Sequence, residues 1–385
     1  MKPETAIVFH LTRSFFGQPL APEALHMAQE SAGWERALEI AQVHGVEAIC
    51  HEALRRVCQS HPQLAGGMDA FRRARYVATV RNMRMVAQLV EVLDALGSRG
   101  IEPIILKGAA LALTVYEEPS LRPMRDLDLL VRVDALAGAR EALLQLGYAT
   151  QGGPATRWEE ENLLAHLIDL TAPGRLPVEI HFRLFPRAQP LFPEEERVWD
   201  RAAPFSVEGR KALRLAPSDE LMYLCGHLRK HAQSEYRLVW FCDIAALDGQ
   251  IQPEARAAFD AAMAAHPERV ELENVLRTAR IWFLGAAGEP GLAAPAVMES
   301  PLTASDRHLP EALDRIGDLL GHMPTWSQKA RFVMGYLFPR LSYLKQFHGV
   351  SSDPAGWGWR VIRPFWVVAR AVRSYLAKRR RNGER

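Results

Sequence analysis

Cysteine is scarce: Cys50, Cys58, Cys225 and Cys242 are the only four in 385 residues. None falls in a CxxC pair, which argues against a zinc site on closely spaced thiolates and points to a reduced, cytosolic setting. The net charge of +2 argues against a globally basic nucleic-acid binder. Long apolar runs are missing as well. A membrane-crossing helix needs about 18 or more consecutive apolar residues; the nearest approach, "IEPIILKGAALALTVY", is interrupted by Lys107. The N-terminus carries an early acidic residue and a polar break rather than a basic-then-apolar signal. No GxGxxG follows a strand, and Walker A, GxSxG and HExxH patterns are absent. Dinucleotide, P-loop, serine-hydrolase and zincin readings therefore lose their anchors. No fixed-period repeat marks a solenoid.

What is present suggests several parts, since 385 residues exceed one ordinary domain. Residues 1–97 read as a helical region. Its long amphipathic segment "RRARYVATVRNMRMVAQLVEVLDALGSRG" places Val80, Met83, Val86, Leu89, Val90, Leu93 and Leu96 three to four apart, with Gly100 as terminator. The texture changes over residues 98–210. "IEPIILKG" predicts a strand running into a turn, "DLDLLVRV" a second strand, "ALAGAREALLQLGY" a helix ending at Gly147, and "PVEIHFRLF" a third strand between Pro177 and Pro186. Residues 211–350 read as helical again, with Ser218 as a helix start and Asp219 and Glu220 in its first turn. Residues 351–385 form a basic, amphipathic tail.

The stretch "RPMRDLDLLVRV" raises a physical question. Residues two apart in a strand leave the same face, about 6–7 Å apart. Asp126 and Asp128 then point together, while Leu127, Leu129 and Val131 enter a core. Like charges this close repel unless a cation lies between them. Glu179, in "VEIHF", adds a third carboxylate, with Val178 and Ile180 facing inward and His181 sharing its outward face. Three carboxylates favour a divalent ion with oxygen ligands; an isolated DxD would more often be a solvated strand end. Upstream, a strand ending in Lys107-Gly108 and opening a helix aims backbone N–H groups outward, a common way to hold phosphate. An ordinary strand-to-helix turn would carry the same two residues.

Together, "LKGAALALTVYEEPSLRPMRDLDLLV" and "VEIHF" resemble the uncharacterised nucleotidyltransferases within the DNA polymerase β-like superfamily. "WERALEIAQVHGV" is similar to that family's N-terminal helix, and "LCGHLRKH…RLVWFCDIAAL" to its C-terminal helical segment. The resemblance covers residues 30–250. It implies an α+β fold: a small mixed-sheet nucleotidyltransferase core, polymerase β-like, flanked by N- and C-terminal helical regions. It implies transfer of a nucleoside monophosphate from an NTP to a hydroxyl-bearing acceptor, whether small molecule, peptide, protein or RNA. Asp126, Asp128 and Glu179 would hold two Mg2+ ions, or Mn2+, with Glu179 as third ligand or general base. Lys107 and Gly108 would contact phosphates. Arg122 would either neutralise charge on the transferring phosphate or lie on the surface without contact. His181 would orient a metal-bound water or hydrogen-bond within the site. At the turn this chain has Gly108-Ala109, where the superfamily usually carries Gly-Ser or Gly-Gly, so a phosphate-binding hydroxyl is missing.

Other readings stand beside the enzyme. A non-catalytic nucleotide-binding module would keep the fold, and Ala109 favours it; the carboxylate trio speaks against it. His227 and His231 share a helix face at i, i+4; packing explains them better than zinc, and lining the nucleotide or acceptor pocket is the remaining reading. Asp243 is expected to pair with a cation or cap a helix. The tail's arginines, interleaved with Phe365, Trp366, Val372 and Leu376, would pack on the protein, lie peripherally on an anionic membrane, or touch RNA phosphates.

Overall fold

The computed structural model describes residues 1–21, 33–150, 166–186, 191–192, 195–231, 236–288, 293–298, 326–327, 329–330 and 334. The basic tail and nearly all of residues 299–350 lie outside them. The chain divides into two compact units. The first comprises Met1–Ala149, Asp169–Leu184 and Leu191–Leu302, and it holds every element discussed below except the ends of two strands. The second comprises Thr150–Ile168, Phe185–Pro190 and Thr303–Arg385.

Among the described residues, four helices precede the sheet: α1 (Pro3–Phe15), α2 (Trp34–His44), α3 (Glu47–Val57) and α4 (Met68–Gly97). Gly45, with φ 69°, ends α2 in the left-handed conformation that glycine adopts without a Cβ clash. The sheet region follows as β1 (Ile104–Ile105), α5 (Lys107–Thr114), β2 (Leu127–Leu130), α6 (Leu136–Gln145), β3 (Ala149–Thr150), β4 (Leu167–Thr171), β5 (Val178–His181), α7 (Val198–Arg201), β6 (Ala203–Val207) and β7 (Arg210–Arg214). Then come α8 (Pro217–His231), α9 (Leu238–Asp248), α10 (Pro253–Ala264), α11 (Arg269–Phe283) and α12 (Ala294–Met298).

The seven strands run in the order β3-β4-β5-β2-β1-β7-β6. The sheet is mixed: β2 is parallel to β5 and antiparallel to β1, β1 is parallel to β7, and β6 and β7 form an antiparallel hairpin. The hairpin turns through Glu208 (φ 47°) and Gly209 (φ 79°), the two positive φ values a type I′ turn requires. This is the expected α+β architecture, a mixed sheet between helical segments.

Three expectations need correction. The buried stripe of α4 runs through Phe71, Ala74, Ala78, Asn82, Met85, Leu89, Val92, Leu93 and Leu96, while Met83 is 68% exposed. The apolar count misplaces the stripe because two of its buried members, Asn82 and Gln88, are polar and bind loop backbone. Asn82 donates to the carbonyls of Pro119 and Arg122 and accepts from Met124 N–H. Gln88 exchanges two hydrogen bonds with the backbone of Leu176. Second, α8 begins at Pro217, so Ser218 lies inside its first turn; proline suits that position because its missing N–H would have no intrahelical partner. Third, the β5 strand stops at His181, well short of Pro186.

Candidate metal and phosphate site

Strand pairing fixes the two carboxylate strands against each other. In the parallel β2–β5 pair, Asp128 stands opposite Glu179 and Leu130 opposite His181. Paired residues leave the same face, so Asp128, Glu179 and His181 converge. On the other face Leu127, Leu129, Val178 and Ile180 are fully buried in the core. That burial holds the register, because a one-residue slip of either strand would turn its two apolar side chains outward.

One donor atom from each of Asp128, Glu179 and His181 lies within 4.8 Å of the others. His181 Nε2 is 3.0 Å from Asp128 Oδ1 and 3.3 Å from Glu179 Oε2. Two carboxylate oxygens and one imidazole nitrogen fit a divalent cation: the carboxylates suit Mg2+ or Mn2+, and the imidazole leans toward the softer of these. Asp126 sits one residue ahead of β2 and enters the site through its charge. Burial, then the negative charges of Asp128 and Glu179, push its carboxyl up to about 6.

Lys107 follows β1, the strand that flanks β2 on the side away from β5. Its Nζ is 2.7 Å from Asp128 Oδ1 and 3.7 Å from Glu179 Oε2. Burial opposes the charge on this ammonium, but Asp128, Tyr223 and Glu179 outweigh burial and hold it protonated well above the usual lysine range. Conversely, despite burial, Lys107 and His181 keep Asp128 well below the usual carboxylate range. The backbone that delivers Lys107 is strained. Its φ is 49°, and it is one of two non-glycine residues with positive φ among those described. Such a conformation costs about 1–3 kcal/mol and is held only where surrounding structure demands it.

Gly108, the next residue of α5, does not use the left-handed region. What it permits is close approach: a Cβ there would lie 3.2 Å from Arg122 Nη1 and 3.3 Å from Met124 Cγ. Arg122 is 8% exposed and spends its donors inside the fold. Nε and Nη2 bind both oxygens of Asp243 at 2.8–3.0 Å, and Nη1 donates to the Pro123 carbonyl at 2.7 Å. Tyr116 Oη donates to Asp243 as well, at 2.8 Å. Asp243 thus pairs with a cation, as expected, and that cation is Arg122.

Sequence reasoning passes over Tyr223 and Lys230. Tyr223, His227 and Lys230 stand at i, i+4 and i+7 on α8, a helical face that the His227 spacing already marks. Tyr223 is buried and lies in the field of Lys107, Asp128 and Glu179, with its phenol raised by burial first. His227 is held well below the usual histidine range by burial and by Lys107. Burial and Lys107 push Lys230 down to about 8, against the pull of Glu179 and Asp128. His227, His231 and Trp240 form an aromatic cluster with centroids 4.6–5.1 Å apart, which is the packing role expected of the two histidines. Asp169 on β4 is a fourth carboxylate within reach of the fields of Glu179, His181, Lys107 and Asp128.

Among the described residues, no helix is long and apolar enough to cross a membrane. No curated protein sequence matches this one. Among solved structures, the chain is similar to the solution structure of the antibiotic-resistance factor ANT(2'')-Ia, at 14% identity and a TM-score of 0.35, over 48% of this chain and 95% of that one. A family model described as an uncharacterised nucleotidyltransferase matches residues 30–284, well over half of the sequence. The chain belongs to this family of uncharacterised nucleotidyltransferases.

Proposed function

We propose that the protein is a divalent-metal-dependent enzyme that moves a nucleoside monophosphate from an NTP to an acceptor hydroxyl. The observation that carries the reading is the register of β2 on β5, which sets Asp128 beside Glu179 with His181 on the same two oxygens. Asp128 and Glu179, with Asp126 next to them, are the ligands for Mg2+ or Mn2+. Bound ions of this kind neutralise a triphosphate and lower the pKa of an attacking hydroxyl. Glu179, 24% exposed at its side chain, serves either as metal ligand or as the general base for the acceptor's proton. His181 orients both carboxylates. Lys107 and the first N–H groups of α5 receive phosphate oxygens. Arg122 serves the site at one remove: its pairing with Asp243 braces the segment that leads into β2. Residues 98–210 form the catalytic core, and the helices on either side of it in sequence complete the cleft.

The reaction is tested with each α-labelled NTP, Mg2+ and a fractionated cell extract, comparing wild type with Asp128→Ala. The wild type transfers label to a defined acceptor, and the variant loses roughly 10²–10³-fold or more. Equal labelling by both proteins contradicts the assignment, and binding of NTP without any transfer favours a non-catalytic nucleotide-binding module.

A further inference from the structure

Lys107 has two claims on it. As a phosphate contact it belongs against the triphosphate, yet its ammonium bonds Asp128 Oδ1 at 2.7 Å and lies 3.7 Å from Glu179 Oε2. These two oxygens are the ones His181 Nε2 touches, at 3.0 and 3.3 Å. They are also the oxygens a divalent ion would take. The side chain is 16% exposed, so its position is enclosed rather than a loose surface pairing. Its backbone φ of 49° holds the chain in a turn that lysine rarely adopts.

We infer that Lys107 is the resident cation of the resting site, competing with the divalent ion for Asp128 until a triphosphate draws the ammonium onto its own oxygens. The inference rests on the nucleotidyltransferase reading and adds an order to it. A metal arriving alone must displace a buried, charge-assisted hydrogen bond and leave an ammonium without its partner. A metal arriving with nucleotide meets no such opposition, because phosphate oxygens accept the released lysine. Metal and nucleotide therefore raise each other's affinity by the same factor, as linkage requires. The metal ligands stay closed by an internal charge when no substrate is present.

A lysine that merely touched phosphate would leave metal-only binding unchanged on removal; a competing lysine would not. The test is Mn2+ binding to the full chain, followed by electron paramagnetic resonance, with and without a non-hydrolysable α,β-methylene NTP. Lys107→Met is expected to bind Mn2+ alone about tenfold or more tightly than wild type. Lys107→Gly is expected to do the same, and its backbone takes positive φ without strain, so it guards against a folding defect in the first variant. Lys107→Arg keeps a cation and stays as weak as wild type. The nucleotide analogue tightens Mn2+ binding by about tenfold or more in wild type and far less in the two neutral variants. Neutral variants that bind Mn2+ no better than wild type overturn the inference and leave the enzyme reading standing. Mn2+ binding that Asp128→Asn does not weaken brings down the site itself, and the inference with it.

Discussion

Single side chains show how differently one fold treats its buried carboxylates. Asp128 is compensated by Lys107 and His181 and stays ionised. Glu220 on α8, 2% exposed, lies in the field of Arg214 and Asp243 without comparable compensation, and burial pushes it up to about 8. Its unfolded value is near 4.5, so the folded state binds the extra proton between the two values. Its contribution to stability is complete below pH 4.5 and is lost as the pH rises through about 8. Glu220→Gln should remove that slope and make the protein more stable than wild type at pH 9 by about 5 kcal/mol at most. Urea midpoints at pH 5 and pH 9 measure it; the same pH dependence in both proteins would contradict the assignment. At this scale the sequence is readable where strand alternation decides direction, which is why Asp128, Glu179 and His181 stand out; Asp126 precedes β2, outside that alternation. Lys107 is legible as a site residue but not as the partner of Asp128, because no hydrophobic pattern encodes a φ of 49°. Arg122 is not legible as a buried strut, since Asp243 lies 121 residues further along the chain.

Among the elements, α4 acts as a brace for the carboxylate strands. Its amides at Asn82 and Gln88 reach the loops that precede β2 and β5, the two strands carrying the carboxylates. One rigid helix therefore gauges the placement of both. Asn82→Leu would leave buried carbonyls and an N–H without partners, lowering stability by about 1–3 kcal/mol in chemical denaturation; an unchanged midpoint would show that the loop holds itself. Arg122→Met alone strands the Asp243 carboxylate and should cost roughly 3–5 kcal/mol, whereas Arg122→Met combined with Asp243→Leu should recover much of that loss. A double variant as unstable as the sum of the singles would contradict a direct pairing. The strands bearing Asp128 and Glu179, and the strand that leads into Lys107, can be anticipated from periodicity and from turn glycines. The true stripe of α4 cannot, because the polar residues inside it are buried for their hydrogen bonds and look solvent-facing in any apolar count.

Across the whole molecule, the family match over residues 30–284 takes in helices on both sides of the sheet as well as the sheet itself. This agrees with a site that draws side chains from α5 and α8 as well as from β2 and β5, with α4 bracing the loops that lead into those strands. The basic tail lies beyond that match. If it serves a membrane, deleting residues 360–385 should abolish cosedimentation with anionic vesicles and leave nucleotidyl transfer intact; lost turnover would tie the tail to the enzyme instead. The most direct test of the central claim is anomalous scattering from Mn2+ in crystals grown with a non-hydrolysable NTP. The expected result is a manganese peak within about 2.0–2.3 Å of carboxylate oxygens from both Asp128 and Glu179, with the Lys107 ammonium moved to a phosphate. A peak elsewhere, or Asp128 still held by Lys107 with metal and nucleotide both bound, would contradict it.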